Sequence, residues 1–151
     1  MLFKSKDQFL KIFDSLSSFK VIGIDYGRVK TGLAVYNSEV KMSLHTVMIK
    51  DIKNNFVDYM NFHKLHQPNA IVVGLPLQKN GSLPNNYLEI KGFCELLIKK
   101  TSLPLFLSDE RYTTSLANTL LKQTDKSRRQ RSALDDRLSA SLILENLFRW
   151  R

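Results

Sequence analysis

The chain has 151 residues, 43% hydrophobic and 25% charged, with 23 Lys and Arg against 14 Asp and Glu and a net charge of +9. These values fit one globular domain and exclude a collagen, a disulfide scaffold and an intrinsically disordered chain. No apolar run approaches the roughly 20 residues of a membrane helix, and the single cysteine, Cys94, allows no intrachain disulfide.

Residues 1–19 are predicted as a short amphipathic helix, an extension at the start of a single domain spanning 1–151. Its MLFKSKDQFLKIF stretch has no continuous apolar region, so a signal peptide is not expected. Lys20 to Asp25 is an apolar run that stops at an acid, a strand followed by a turn at Tyr26-Gly27. Thr31 to Tyr36 and Met42 to Ile49 read as two further strands of an antiparallel meander. The period then becomes helical over 51–66. Ala70 to Gly74 is a β-branched run typical of a buried strand, and Asn80-Gly81 marks a turn. A helix is predicted over 85–101, a strand from Leu105 to Leu107 ending at Asp109-Glu110, a helix from Thr113 or Thr114 to about Lys122, and a last helix from Ala133 to Phe148. Asp125 to Ser132 reads as a polar, basic loop. Three early strands followed by alternating helix and strand predict a mixed α/β sheet with helices on its faces.

Three acidic positions carry chemistry. Asp25 ends an otherwise apolar strand, and Gly27 after it permits a tight turn. Asp109-Glu110-Arg111-Tyr112-Thr113-Thr114 places two acids and an arginine at a strand end, where open α/β sheets bind ligands. Asp135-Asp136 lies at the predicted start of the last helix, where acids are also favoured by the helix dipole by roughly 0.3–1 kcal/mol. Adjacent helix residues point about 100° apart. Asp136, one turn before Ala140, sits closer to the docking stripe of Leu138, Leu142, Ile143 and Leu147 than Asp135 does.

Three carboxylates at one sheet end would suit hard cations such as Mg2+ or Mn2+. Two such ions roughly 4 Å apart clamp the attacking and leaving oxygens of a phosphodiester. His63 and His66 have no third ligand at metal spacing and read as a solvated helix end. His45 reads as structural, and Cys94 as a small core residue. The positive charge predicts a nucleic-acid partner. Arg28 and Lys30 beside Asp25, and Arg128, Arg129 and Arg131 ahead of Asp136, are the candidate phosphate contacts.

Four segments together resemble the YqgF/RuvX family of RNase H-like, RuvC-related nucleases. They are Gly23-Ile24-Asp25-Tyr26-Gly27 with Gly32-Leu33-Ala34, Val73-Gly74-Leu75-Pro76-Leu77 with Asn80-Gly81-Ser82, Ser108 to Thr114 with Ala117, and Asp136 with Ser139-Ala140 and Leu142-Ile143-Leu144. The resemblance covers about Val21 to Phe148. It implies an RNase H-like mixed sheet of five strands with helices on both faces. It also implies a cytoplasmic, Mg2+-dependent nuclease that processes the 5′ end of precursor 16S ribosomal RNA, with no membrane partner and with pre-ribosomal particles as possible associates. Carried over by position, Asp25, Glu110 and Asp136 are the catalytic and metal-binding acids, and Gly27, Arg111 and Thr113 support them. The chain departs from the family pattern at Asp135, usually apolar, at Ser132 and Ala133, usually basic, and at Val29.

Other readings stay open at this point. A Holliday junction resolvase on four-way DNA would need a two-fold dimer to cut two symmetric strands, and monomer and homodimer are both compatible with the sequence. A non-catalytic RNA-binding ribosome assembly factor would need the basic charge and not the acids. An actin-like ATPase shares the Asp-x-Gly turn but needs a second domain that 151 residues do not supply.

Overall fold

The computed structural model describes residues 1–111 and 128–149, and for His45 and residues 128–137 their backbone. In chain order the elements are β1 (Leu2–Phe3), α1 (Lys6–Lys11), β2 (Lys20–Asp25), β3 (Lys30–Asn37), β4 (Met42–Lys50), α2 (Phe56–His66), β5 (Ala70–Leu75), α3 (Tyr87–Thr101), β6 (Leu105–Asp109) and α4 (Arg128–Phe148). They build a six-stranded sheet in the order β1-β6-β5-β2-β3-β4. Strands β2, β3 and β4 pair antiparallel, while β5 pairs parallel with β2, and β6 with β5.

The expected five strands are β2 to β6, and β1 is a sixth. Leu2 and Phe3 pair parallel with Leu105 and Phe106, so the chain start is not one helix over 1–19. The β6 edge offers unpaired backbone groups, and pairing them outweighs extending a marginal helix by a turn. Phe3, Phe9 and Phe106 then pack ring to ring. Helix α2 starts at Phe56 rather than near 51, because Asp51 takes a left-handed φ of 42°. Asn55 Nδ2 donates to the Lys50 carbonyl at 2.8 Å there. The last helix starts at Arg128, five residues before its predicted start, so Arg128 to Ser132 are helix and not loop. Arginine and glutamine are good helix formers, and no Gly or Pro interrupts the run. The predicted helix from Thr113 to Lys122 lies outside the described residues.

Both faces of the sheet are covered, so its central strands read as apolar runs. One face joins Ile22, Ile24, Leu33 and Val73 to Phe93 and Leu97 of α3 and Tyr59 of α2. The other joins Val21, Ala34 and Val72 to Phe9 of α1 and to Ala140, Ile143, Leu144 and Leu147 of α4. Gly23 lets α4 approach closely: a β-carbon there would lie 2.6 Å from Leu144 Cγ and 2.8 Å from the Ala140 carbonyl. The C-terminal end of α4 is anchored by Phe148, which stacks on Tyr36 at 4.4 Å and touches Phe19 at 5.6 Å. Phe19 and Tyr36 mark the beginning of β2 and the end of β3. The earlier turns of α4 therefore run toward the opposite end of the sheet, where β2, β5 and β6 terminate. Among the described residues no helix is long and apolar enough to cross a membrane.

Candidate active site

Parallel pairing brings the C-terminal ends of β2, β5 and β6 to one edge of the sheet. Ile24 pairs with Val73, and Leu75 with Asp109. Asp25 closes β2, and Glu110 follows β6 directly. Side chains alternate along a strand. Asp25 therefore shares the face of Gly23, and Gly74 shares the face of Val72, the face on which α4 packs.

Glu110 is positioned by both backbone and packing. Its N–H donates to the Leu75 carbonyl at 3.1 Å. Its carboxyl group lies over Gly74, where a β-carbon would overlap it, and Ile143 closes the same space from α4. The Oε1 atom is out of contact with solvent. Burial pushes the Glu110 carboxyl up to about 8, and the negative charges of Asp25 and then Asp109 add to the shift. Two acids of the predicted trio thus share one environment.

Asp109 points to a different partner. Arg111 donates from its backbone N to Asp109 Oδ1 at 3.0 Å, from Nε to Oδ2 at 2.9 Å and from Nη2 to Oδ2 at 2.6 Å. These hydrogen bonds hold the Asp109 carboxyl below its usual range. Arg111 therefore braces the turn on either side of Glu110 through Asp109. Gly81, at φ +82°, brings the 78–82 turn to within reach of the same guanidinium: a β-carbon on it would lie 3.2 Å from Arg111 Nη1.

Asp136 is placed by its backbone. Ala140 is fully buried and packs at Gly23. Four residues back along α4 is about 6 Å, and two residues on from Gly23 to Asp25 is about 7 Å. The Asp136 backbone accordingly lies toward the end of the sheet that carries Asp25. Asp135 and Asp136 stand in the third turn of α4, whose first turn holds no acid, so helix-dipole stabilisation does not account for them. The side chains of Asp135, Asp136, Arg128, Arg129 and Arg131, and all of Thr113, lie outside the described residues.

Gly27 closes the turn after Asp25. The Thr31 hydroxyl donates to the Gly27 carbonyl at 3.1 Å, and a β-carbon on Gly27 would collide with the Lys30 carbonyl. Arg28 turns to the α3 side, where its Nε meets Glu89 Oε2 at 2.6 Å. Lys53 joins the same carboxylate at 3.6 Å, and Tyr26 stacks on Phe93 at 4.8 Å. Lys30 opens β3 on the Asp25 side of the sheet. Sequence reasoning assigned no role to Glu89, the partner of Arg28. A first-turn helix acid carries no signal that distinguishes it from an ordinary one.

Among the described residues no three His, Cys, Asp or Glu side chains gather to hold a metal. Asp25 and Glu110 nevertheless fit a divalent cation. They offer oxygen donors alone, and their mutual repulsion raises Glu110, a cost that a hard cation would offset. Cys94 is buried in the core, its thiol pushed up to about 12. His63 is held below its ordinary value by burial, and the two histidines of α2 lie against rings of their own helix, His63 against Tyr59 and His66 against Phe62.

A family model described as "RuvX: Holliday junction resolvase" matches residues 19–149. A protein of Orientia tsutsugamushi (strain Ikeda) named "Putative pre-16S rRNA nuclease" is 36% identical over 147 residues, 96% of this chain and 92% of the relative. A protein of the same name from Rickettsia africae (strain ESF-5) is 32% identical over 149 residues, 97% of this chain and 96% of the relative. Among solved structures, T. thermophilus RuvC in complex with a Holliday junction substrate superposes with a TM-score of 0.58 at 16% identity, covering 87% of this chain and 94% of that one. The yeast mitochondrial Holliday junction resolvase Ydc2 superposes with a TM-score of 0.52 at 17% identity, covering 98% and 86%. These likenesses establish an RNase H-like fold.

Proposed function

The chain belongs to the RuvX family, and from that premise we propose that it is a metal-dependent nuclease that hydrolyses phosphodiester bonds at the 5′ end of precursor 16S rRNA. The observation that carries the reading is the meeting of Asp25 and Glu110 at one sheet end, with Glu110 buried over Gly74 and raised by its neighbour. A carboxyl group so placed costs stability and has no role in the packing of the core. Such perturbed acids mark functional sites.

In this reading Asp25, Glu110 and Asp136 hold Mg2+ or Mn2+. The bound cations supply activation of the attacking water and charge stabilisation on the phosphate. The chain's own contribution is positional. Strand β2 fixes Asp25, Gly74 fixes Glu110, and α4 carries Asp136 alongside. Arg111 holds the Asp109 turn, and Gly27 shapes the turn after Asp25. Arg28, Lys30, Arg128, Arg129 and Arg131 supply positive charge for the nucleic-acid backbone, consistent with the net charge of +9. The free buried cysteine and the basic composition fit a cytoplasmic enzyme that meets pre-ribosomal particles.

A second reading, cleavage of four-way DNA junctions, is favoured by the family description and by the likeness to RuvC bound to a junction. One experiment separates the readings. Purified protein and its Asp25→Asn variant are incubated with a 5′-extended 16S RNA fragment or a synthetic four-way junction, each with Mg2+, Mn2+ or EDTA. Metal-dependent RNA cleavage that disappears in Asp25→Asn is the expected result. Cleavage of the junction alone would replace rRNA processing with resolution. Equal RNA binding by two inert proteins would leave a non-catalytic assembly factor.

A further inference from the structure

Two cations share one carboxylate on the α3 side of the sheet end. Arg28 Nε donates to Glu89 Oε2 at 2.6 Å, and Lys53 Nζ lies 3.6 Å from Glu89 Oε1. Lys53 Nζ also stands 5.7 Å from the centre of the Tyr26 ring, within cation–π range. Tyr26 follows Asp25 directly. Three segments therefore converge here: the turn after β2, the turn between β4 and α2, and the first turn of α3.

Backbone hydrogen bonds build this meeting. The Asp51 N–H donates to the Val29 carbonyl at 2.9 Å, which ties the Lys53 turn to the residue beside Arg28. Asn54 and Asn55 donate their N–H groups to the Asp51 carbonyl at 3.0 and 2.9 Å. Ile52 anchors the same turn in the core at 1% exposure. Lys53 is thus carried by an ordered turn with its neighbour buried, and Tyr26 below it stacks on Phe93.

A fold brace would close the arginine fork on its acid. Arg111 does so on Asp109, donating from both Nε and Nη2. Arg28 engages Glu89 through Nε alone, and its Nη1 and Nη2 make no hydrogen bond among the described residues. Those two donors suit the oxygens of a phosphate. One carboxylate against two cations also leaves one positive charge in the cluster. The side chains of Arg28 and Lys53 are 73% and 45% exposed and that of Glu89 26%. The cations therefore stand outside the acid that holds them.

We propose that Arg28 and Lys53 together bind the backbone phosphate next to the one at Asp25, across the end of β2. Lys53 is then a substrate-positioning residue, and Glu89 is the shared counter-ion. Ile24 and Tyr26 belong to the core on the α3 face, and Asp25, between them, belongs to the α4 face. A strand of nucleic acid passing over the end of β2 would meet Asp25 on one side and the two cations on the other. The inference rests on the nuclease reading for the identity of the Asp25 site, but not for the binding of the phosphate itself.

The test uses Lys53→Gln and Glu89→Gln. The controls are Lys99→Gln, in the last turn of α3, and Glu39→Gln, between β3 and β4 at the opposite end of the sheet. Binding of the 5′-extended 16S RNA fragment is measured in EDTA over a series of KCl concentrations, and kcat and KM with Mg2+. Lys53→Gln is expected to weaken binding several-fold and to flatten the slope of log K against log salt by about 0.7–0.9. Its KM should rise by a similar factor at unchanged kcat. Glu89→Gln keeps an acceptor for Arg28 Nε and removes the opposing charge, so it should bind several-fold more tightly with a steeper slope. Both controls should stay close to wild type. Melting temperatures should move by a few degrees at most, because exposed ion pairs contribute little to stability. Wild-type affinity and slope in Lys53→Gln would overturn the site. So would weaker binding by Glu89→Gln, or an equal loss in Lys99→Gln, which would reduce the effect to net charge. If no substrate is cut under any metal, yet the two variants still shift binding in opposite directions, the phosphate site stands and the nuclease reading falls.

Discussion

The carboxyl group of Glu110 rests over Gly74, in the space that a β-carbon on residue 74 would occupy. Glycine is thus a packing requirement of the acid on the neighbouring strand. Gly74→Ala must push Glu110 aside or shift β6 against β5. Overpacking of this kind costs about 1–3 kcal/mol. Misplacing a catalytic group by about an ångström costs roughly 10²-fold in rate. The expected variant folds, melts a few degrees lower and loses most cleavage. Gly92→Ala, with nothing within 4 Å of its new methyl, is the matched control on α3. Equal kcat in the two variants would remove Glu110 from the machinery.

Burial and the Asp25 charge push Glu110 up to about 8 from an ordinary 4.5. In metal-free protein the folded state therefore holds this proton more tightly than the unfolded chain. Stability from this group is fully present below about 4.5 and declines as pH rises toward about 8. Glu110→Gln keeps the shape and removes the titration. Denaturant unfolding in EDTA at pH 5 and pH 8 should show a smaller pH-dependent loss in the variant than in wild type. Identical pH profiles would show that the acid ionises normally in the fold.

Arg111 grips Asp109 with its backbone N–H and two guanidinium nitrogens. The two side chains are about one-third exposed, at 31% and 36%, so the pair is worth at most about 1 kcal/mol of stability. Its larger effect is positional, because Glu110 lies between the two. Arg111→Lys keeps the charge but loses the fork. We expect near wild-type melting with a kcat lowered about tenfold or more in Arg111→Lys. Wild-type kcat in that variant would show that the fork does not position Glu110.

Phe148 pins α4 to the far end of the sheet, with Tyr36, Phe19 and Phe13 around it. Phe148→Ala should cost about 3–5 kcal/mol, the usual range for emptying a buried aromatic site. Because α4 also carries Asp136, cleavage should fail at a lower temperature than in wild type. Thermal unfolding and an activity–temperature series check this together. A melting shift below about 2 °C would mean that α4 is held chiefly by Ala140, Ile143 and Leu144.

Much of this architecture is legible along the chain. Lys20 to Asp25 is an uninterrupted apolar run ending on an acid, and it forms β2 with those bounds. Ala70 to Gly74 is β-branched and forms β5 through Leu75. The limits of helices are less legible. Asp51 and its asparagines build a turn where periodicity extends the helix. Arg128 to Ser132 has the composition of a loop and the conformation of a helix. Leu2 and Phe3 become a strand only because the β6 edge is there to pair with.

The sequence by itself determined the order of elements from β2 to β6, the family and the positions of the acids, because strand-ending carboxylates and the motifs around them are local patterns. Tertiary structure alone decided which groups meet. It set Glu110 over Gly74, turned Arg28 away to Glu89, assigned Arg111 to Asp109 and placed Lys50 opposite Lys30. Each of these pairings is fixed by strand register or by the close packing of helix on sheet. Both arise between segments far apart in the chain, where no local pattern records them.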